Sequence, residues 1–102
     1  MTKRDMAPIH PGEILLEDFL KPLEITQYRL AQDIGVGQTK ISQIVRGKRG
    51  ISADTALRLA RYFGTSAEFW MNAQAWYELE VAKDEAGEAV EREVTPREPV
   101  AA

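Results

Sequence analysis

The stretch GVGQTKISQIVRGKRGIS, residues 35–52, predicts a short helix between two turns that contain glycine. Residues 38–46 separate into two faces when they are placed at steps of about 100° around a helix. Ile41, Ile44 and Val45 share one narrow arc, whereas polar side chains fill the rest of the circumference. Such a helix can dock through a thin apolar stripe and leave a wide polar face open to another molecule.

A second short helix precedes this one. Thr26 is a good N-cap for the segment TQYRLAQDI, and Gly35 can end it in the left-handed conformation that side chains with a Cβ disfavour. Its apolar residues, Leu30, Ala31 and Ile34, lie on one face and can pack on the stripe of the following helix. The tight turn at residues 35–37 then sets the two helices at a steep angle, which predicts a helix-turn-helix.

The polar face of the helix at residues 38–46 has the types of side chain that can read DNA. Amides can bond adenine, lysine can bond guanine and a threonine methyl can touch thymine in the major groove. The predicted base-reading residues are Gln38, Thr39, Lys40 and Gln43. The predicted contacts to the DNA backbone are Gln27, Arg46, Lys48 and Arg49. The alternative is that these side chains form only a solvated surface.

Charge is unevenly distributed along the chain. The formal net charge is −3, which by itself argues against a nucleic-acid ligand. Residues 26–49, however, contain five basic residues and one acid, Asp33, whereas residues 78–102 contain eight acids and three basic residues. A basic middle segment and an acidic C-terminal segment are therefore expected to have different partners.

The remaining helices predict an all-α, compact five-helix domain of the phage-repressor-like helix-turn-helix type. The first helix, in HPGEILLEDFLKPLE, should stop near Pro22. The fourth helix follows its cap Ser52. The fifth helix follows Thr65, and Glu68 completes a capping box with it. We expect an N-terminal extension at residues 1–10, a DNA-binding and dimerisation domain at 11–83, and an acidic, largely disordered tail at 84–102.

Composition excludes several classes of function. A chain of 102 residues without cysteine and with one histidine offers no thiolate or histidine cluster, so we expect no metal, no cofactor, no small-molecule substrate and no catalytic residue. His10 is expected to start a helix rather than to catalyse. The sequence has neither an apolar membrane span nor a secretory signal, which makes a cytoplasmic location the default expectation.

The fifth helix is apolar on more than one side. One stripe can serve its own core, and the aromatic remainder would be an adhesive surface on a monomer. We therefore expect a homodimer, with dimerisation through Phe69, Trp70, Trp76 and Tyr77. The alternative is that the N-terminal segment or the acidic tail folds over these aromatic residues.

The chain resembles HigA-type antitoxins of the Xre (phage-repressor-like) helix-turn-helix family in three longer segments. These are HPGEILLEDFL, LAQDIGVGQTKISQIVRGKRGIS and ADTALRLARYFGTSAEFWMNAQAWYEL. The resemblance covers residues 8 to about 83. It implies a dimer that binds operator DNA, represses its own operon and neutralises a HigB-type toxin that cleaves mRNA. Gly37 stands where a serine cap is more usual in the family, and glycine also caps acceptably.

The surface that would bind a toxin is left open by the sequence. Candidates are the stretch 1–10, the first helix with Glu13, Glu17 and Asp18, and the acidic tail. A ribonuclease that grips RNA should be basic, so an acidic surface could neutralise it; the alternative is that these acids form only a solvated face. Two rival functions also remain. One is a standalone transcriptional repressor with the same DNA contacts and no toxin; the other is a protein inhibitor whose helix-turn-helix no longer binds DNA.

Overall fold

The computed structural model describes residues 7–97, which form five helices and no strand. Helix α1 is continuous but has three segments, α-helical Pro11–Ile14, π-helical Leu15–Leu20 and α-helical Lys21–Leu23. The other helices are α2 (Gln27–Ile34), α3 (Gln38–Val45), α4 (Ala53–Phe63) and α5 (Ala67–Glu93). The expectation of an all-α domain with five helices is confirmed.

Helix α1 begins and ends where its local sequence requires. His10 caps it, because its Nδ1 accepts a hydrogen bond from the Gly12 N–H at 2.8 Å, and Pro11 occupies the first turn. The wider π-helical turn comes just before Pro22, a residue that has no N–H to donate to the preceding turn. Glu24 then adopts a left-handed backbone with φ of 55°, and the helix ends at Leu23.

Short polar side chains cap two of the next three helices, α2 and α4. The Thr26 hydroxyl accepts from the Arg29 N–H at 3.0 Å at the start of α2, and the Ser52 hydroxyl accepts from the Thr55 N–H at 3.3 Å at the start of α4. Gly35 ends α2 with φ of 74°. These caps agree with the sequence-based expectations.

The start of α5 differs by one residue from the expected start. Ser66, not Thr65, is its N-cap, and the Ser66 hydroxyl accepts from the Phe69 N–H at 3.0 Å. The Thr65 hydroxyl instead accepts from the indole N–H of Trp70 at 2.8 Å. Thr65 therefore satisfies a buried donor of the core and leaves the cap to its neighbour.

The expectation of disorder from Asp84 onwards is wrong for residues 84–93. These residues continue α5 to Glu93. Alanine, glutamate and arginine are good helix formers, and the first proline of the tail, Pro96, lies beyond the helix end at Glu93. The expected tail at residues 98–102 and the expected extension at residues 1–6 lie outside the described residues.

The core lies between α1, the helix-turn-helix, α4 and the first turns of α5. Its fully buried side chains include Leu15, Leu30, Ile41, Ile44 and Leu59. Beyond Gln74, α5 buries no further side chain and projects from this body, which gives overall extents of 52 × 26 × 21 Å.

The expected dimerisation role of Trp70 is wrong, because its side chain is 0 % exposed within one chain. Its ring centroid lies 5.0 Å from those of Phe19 and Phe69 and 6.3 Å from that of Phe63. The indole is therefore the centre of an aromatic cluster that joins α1, α4 and α5. Helical periodicity correctly placed Trp70 on an apolar stripe but did not show that the stripe faces inward.

At Gly12, the main chain of α1 lies directly against the main chain of α3, with no side chain between them. Gly12 is buried, and a Cβ on it would overlap the main-chain carbonyl oxygen of Ile44. Only glycine permits this approach. The contact sets the distance between α1 and the C-terminal half of α3.

Candidate nucleic-acid interface

Helices α2 and α3 form the helix-turn-helix around a hydrogen-bonded turn. The N–H groups of Gly35 and Val36 both donate to the Ala31 carbonyl oxygen at 3.0 Å. Beyond the turn, α3 docks through Ile41 and Ile44, whose side chains are 0 % exposed. Gly37 begins α3 without a side-chain cap, which leaves the first N–H groups of α3 without a side-chain partner.

The expected base-reading residues lie together on the outer side of α3. Gln38 and Thr39 are exposed, whereas Lys40 and Gln43 are half-buried. Gln27 is the first residue of α2 and is half-buried. The described structure therefore brings these side chains to the two elements that a helix-turn-helix presents to DNA.

The loop after α3 has three exposed basic side chains, Arg46, Lys48 and Arg49. Its main chain is folded back on α3, because the Lys48 N–H donates to the Gln43 carbonyl oxygen at 2.8 Å and Gly47 has φ of 73°. Among residues 7–97, none of these three cations, nor Lys40, forms an ion pair. Their charges are available to phosphate groups.

The one acid of this segment is neutralised locally. The Asp33 carboxylate accepts from Arg29 Nε and from the Tyr62 hydroxyl, both at 2.9 Å. These hydrogen bonds, from Arg29 first and from Tyr62 second, hold the pKa of Asp33 below its usual value. Arg29 is thereby engaged on α2, and the unpaired positive charge is concentrated on α3 and the loop that follows it.

Gln74 of α5 holds the far end of the basic loop, and sequence analysis did not identify it. The residue is 7 % exposed, and its Oε1 accepts from the buried Ile51 N–H at 2.7 Å while its Nε2 donates to Glu78 at 2.7 Å. The main chain at Gly50 lies against the same amide, so that a Cβ there would come within 2.8 Å of Nε2. One amide within a long helix gives no local sign of such a contact, because its partner lies 23 residues away.

Replacing Gln74 with methionine should lower the free energy of unfolding by about 1 to 3 kcal/mol. Methionine is similar in size to glutamine, but it leaves the buried Ile51 N–H without an acceptor. Urea unfolding would measure the loss. The matched control is Gln32→Met, since Gln32 is exposed on α2 and should tolerate the change within about 0.5 kcal/mol. Equal stability of the two variants would contradict the anchoring role of Gln74.

His10 connects three parts of this region. Its ring packs edge-on against Tyr77 of α5, with centroids 4.7 Å apart, and lies beside Gly47 of the basic loop. Its Nδ1 must be unprotonated to accept from the Gly12 N–H. Burial lowers the pKa of His10 below its ordinary value near 6.5.

The lowered pKa means that the folded chain binds fewer protons at His10 than the unfolded chain does. The stability contributed by neutral His10 should therefore be complete above about pH 6.5 and be lost as the pH falls through the lower folded-state pKa. We expect His10→Asn, which retains a capping oxygen and does not titrate, to show a smaller loss of stability between pH 7.5 and 5.5 than the wild type. Urea midpoints at both pH values would test this, and identical losses in the two proteins would contradict it.

The rest of α5 presents apolar side chains to solvent. Trp76 is 62 % exposed, Leu79 is 52 % exposed and Phe69 is 40 % exposed. Tyr77, another expected dimerisation residue, is half-buried against His10. The expected aromatic surface is therefore reduced to Trp76, Phe69 and part of Tyr77, with Leu79 added to it.

Residues 7–97 contain neither a metal-binding cluster nor a membrane-spanning helix. No group of three or more histidine, aspartate and glutamate side chains lies close enough together to hold a metal ion. No helix in this range combines the length and apolar character needed to cross a membrane.

Comparison with known proteins agrees with the geometry. A family model described as helix-turn-helix matches residues 16–70, which is more than half of the chain. Virulence-associated protein I of Dichelobacter nodosus is 49 % identical over 83 residues, covering 81 % of this chain and 77 % of that protein. Antitoxin HigA-1 of Vibrio cholerae is 36 % identical over 74 residues, covering 72 % of this chain and 70 % of that protein.

A solved structure is similar over nearly its whole length. It is described as Pseudomonas aeruginosa antitoxin HigA with the higBA promoter, and it superposes with a TM-score of 0.87 at 48 % identity. The match covers 89 % of this chain and 99 % of that chain. Two of these three proteins are named antitoxins and none is named as an enzyme, in agreement with the expectation from sequence. The chain therefore belongs to the Xre-like helix-turn-helix family, in which it groups with the HigA-type antitoxins.

Proposed function

We propose that this protein is an antitoxin that binds operator DNA through its helix-turn-helix as a homodimer, represses its own toxin-antitoxin operon and neutralises a HigB-type, mRNA-cleaving toxin. The observation that carries the DNA-binding part is the exposed polar side of α3 beside a basic loop that forms no ion pair within the described residues. Gln38, Thr39, Lys40 and Gln43 read bases. Gln27, Arg46, Lys48 and Arg49 contact the DNA backbone.

The dimer part rests on the exposed apolar side of α5. Trp76, Leu79 and Phe69 would cover one another across a two-fold axis between two chains. Two copies of α3 would then lie about 34 to 36 Å apart and face successive major grooves on one side of the duplex. The operator should therefore be a pseudo-palindrome.

The two groups of DNA contacts should respond differently to mutation. Gln43→Ala and Thr39→Ala should each reduce discrimination at one base pair by roughly 1 to 3 kcal/mol, because they remove base contacts. Lys48→Ala should weaken binding to all sequences alike and reduce the salt slope by about one unit, because it removes one phosphate contact. Titrations of operator and random duplexes at several salt concentrations would measure both effects.

Circular dichroism should show the same helix content in all three variants, since each changed side chain is exposed or half-buried.

Footprinting should show two protected half-sites. Equal losses on operator and random DNA for every variant would contradict the division of roles, and a single protected half-site would contradict the dimer.

The toxin-binding part is supported by exposed acidic side chains outside the helix-turn-helix. Glu17 and Asp18 are exposed on α1. The C-terminal half of α5 presents further exposed acids, Asp84, Glu85, Glu88, Glu91 and Glu93. A ribonuclease that grips RNA needs a basic surface, and a helical acidic surface complements it.

Co-expression with the small protein encoded beside its gene would test the toxin-binding part. A complex that is stable in size-exclusion chromatography, with restored growth of the host, is the expected result. A Gln43→Ala/Lys48→Ala variant should still restore growth, because it changes only the DNA-binding residues. Absence of both toxicity and complex would favour the alternative, a standalone repressor, whose contacts to DNA would be the same.

A further inference from the structure

Gln43, one of the proposed base-reading residues, is held by a neighbour in the protein. Its Oε1 accepts a hydrogen bond from Arg49 Nε at 2.8 Å. Because a guanidinium group only donates, the amide atom that faces it must be the oxygen. The bond therefore determines which end of the Gln43 amide points towards the basic loop.

The other end of the amide is left as a pair of donors. Nε2 lies across the amide carbon from Oε1 and is directed away from Arg49, and Nε2 donates no hydrogen bond within residues 7–97. A glutamine that pairs bidentately with adenine must present both its oxygen and its nitrogen to the base edge. Guanine instead offers two acceptors, N7 and O6, to an approaching donor.

We propose that Arg49 is a positioning residue for base recognition, which holds Oε1 of Gln43 at the loop and thereby makes Gln43 select guanine over adenine. This inference rests on the proposed DNA-binding function. It adds to the backbone role of Arg49, because the two terminal nitrogens of the guanidinium group remain available to a phosphate. Arg49 would thus contribute both to phosphate binding by the loop and to the preference of Gln43 for guanine.

The test uses an operator that the full-length wild-type chain selects from randomised duplex DNA. The base pair read by Gln43 is the one at which Gln43→Ala abolishes the preference. Affinities are then measured for four duplexes that differ only at this pair. We expect the wild type to favour guanine over adenine by about tenfold, the scale of one good base contact.

Arg49→Met should remove most of that preference, because the freed amide can turn to present Oε1 together with Nε2 to adenine. The matched control is Lys48→Met, which removes one positive charge from the same loop and should weaken binding to all four duplexes by the same factor. In a Gln43→Ala background, Arg49→Met should change affinity without changing base preference. This last result separates positioning of Gln43 from a general effect on the fold.

Two outcomes would overturn the role of Arg49. One is a wild-type preference for adenine at this pair. The other is an Arg49→Met variant that behaves as Lys48→Met does, with all four affinities reduced equally. A wild-type chain that selects no sequence at all would overturn the proposed DNA-reading function itself, which is a distinguishable result.

Discussion

Replacement of Trp70 by alanine should lower the free energy of unfolding by about 3 to 5 kcal/mol, the range for removing a fully buried large aromatic side chain. The indole is 0 % exposed, packs on Phe19 and Phe69, and donates its N–H to Thr65. The substitution therefore removes ring contacts from three helices and leaves the Thr65 hydroxyl without its donor. Thermal and urea unfolding would measure the loss.

Trp76→Ala is the matched control, because Trp76 is the same residue type on the same helix but is 62 % exposed. Within a single chain it should cost about 0.5 kcal/mol or less. If α5 forms the proposed dimer, Trp76→Ala should also weaken association, and its effect on stability should then vanish on dilution. The loss in Trp70→Ala should persist at every protein concentration. Comparable losses in the two variants would contradict the assignment of Trp70 to the core.

Replacement of Gly12 by alanine should destabilise the fold by about 3 kcal/mol, at the upper end of the usual cost of overpacking. The added Cβ would overlap the carbonyl oxygen of Ile44 and come within 2.6 Å of its carbonyl carbon. A main-chain group cannot rotate aside as the end of a long side chain can. Helices α1 and α3 must therefore move apart, and operator affinity should fall together with stability.

Gly37→Ser is the control for this substitution. A Cβ on Gly37 meets no atom within 4 Å, its φ of −68° suits any residue, and serine is a good N-cap. We expect its stability to stay within about 0.5 kcal/mol of the wild type or to rise slightly. Urea unfolding would compare the stabilities of Gly12→Ala and Gly37→Ser. Equal midpoints would contradict the close approach of α1 and α3.

The sequence by itself determined the local features. Thr26, Ser52 and Gly35 cap their helices as expected, because a cap depends on hydrogen bonds to residues within one turn of the chain. The apolar stripe of α3 followed from the 3.6-residue period. The candidate DNA-reading residues could be chosen for the same reason, since their shared face depends only on their spacing along one helix.

The tertiary structure decided which of several apolar and polar groups meet. It buried Trp70 and left Trp76 exposed on the same helix, brought Gln74 to Ile51 across 23 residues, and joined Arg49 to Gln43. Helical periodicity shows that a helix has an apolar side, but the orientation of that side depends on how the other helices pack on it. Contacts between distant residues arise only from that packing, and a single sequence contains no local signal for them.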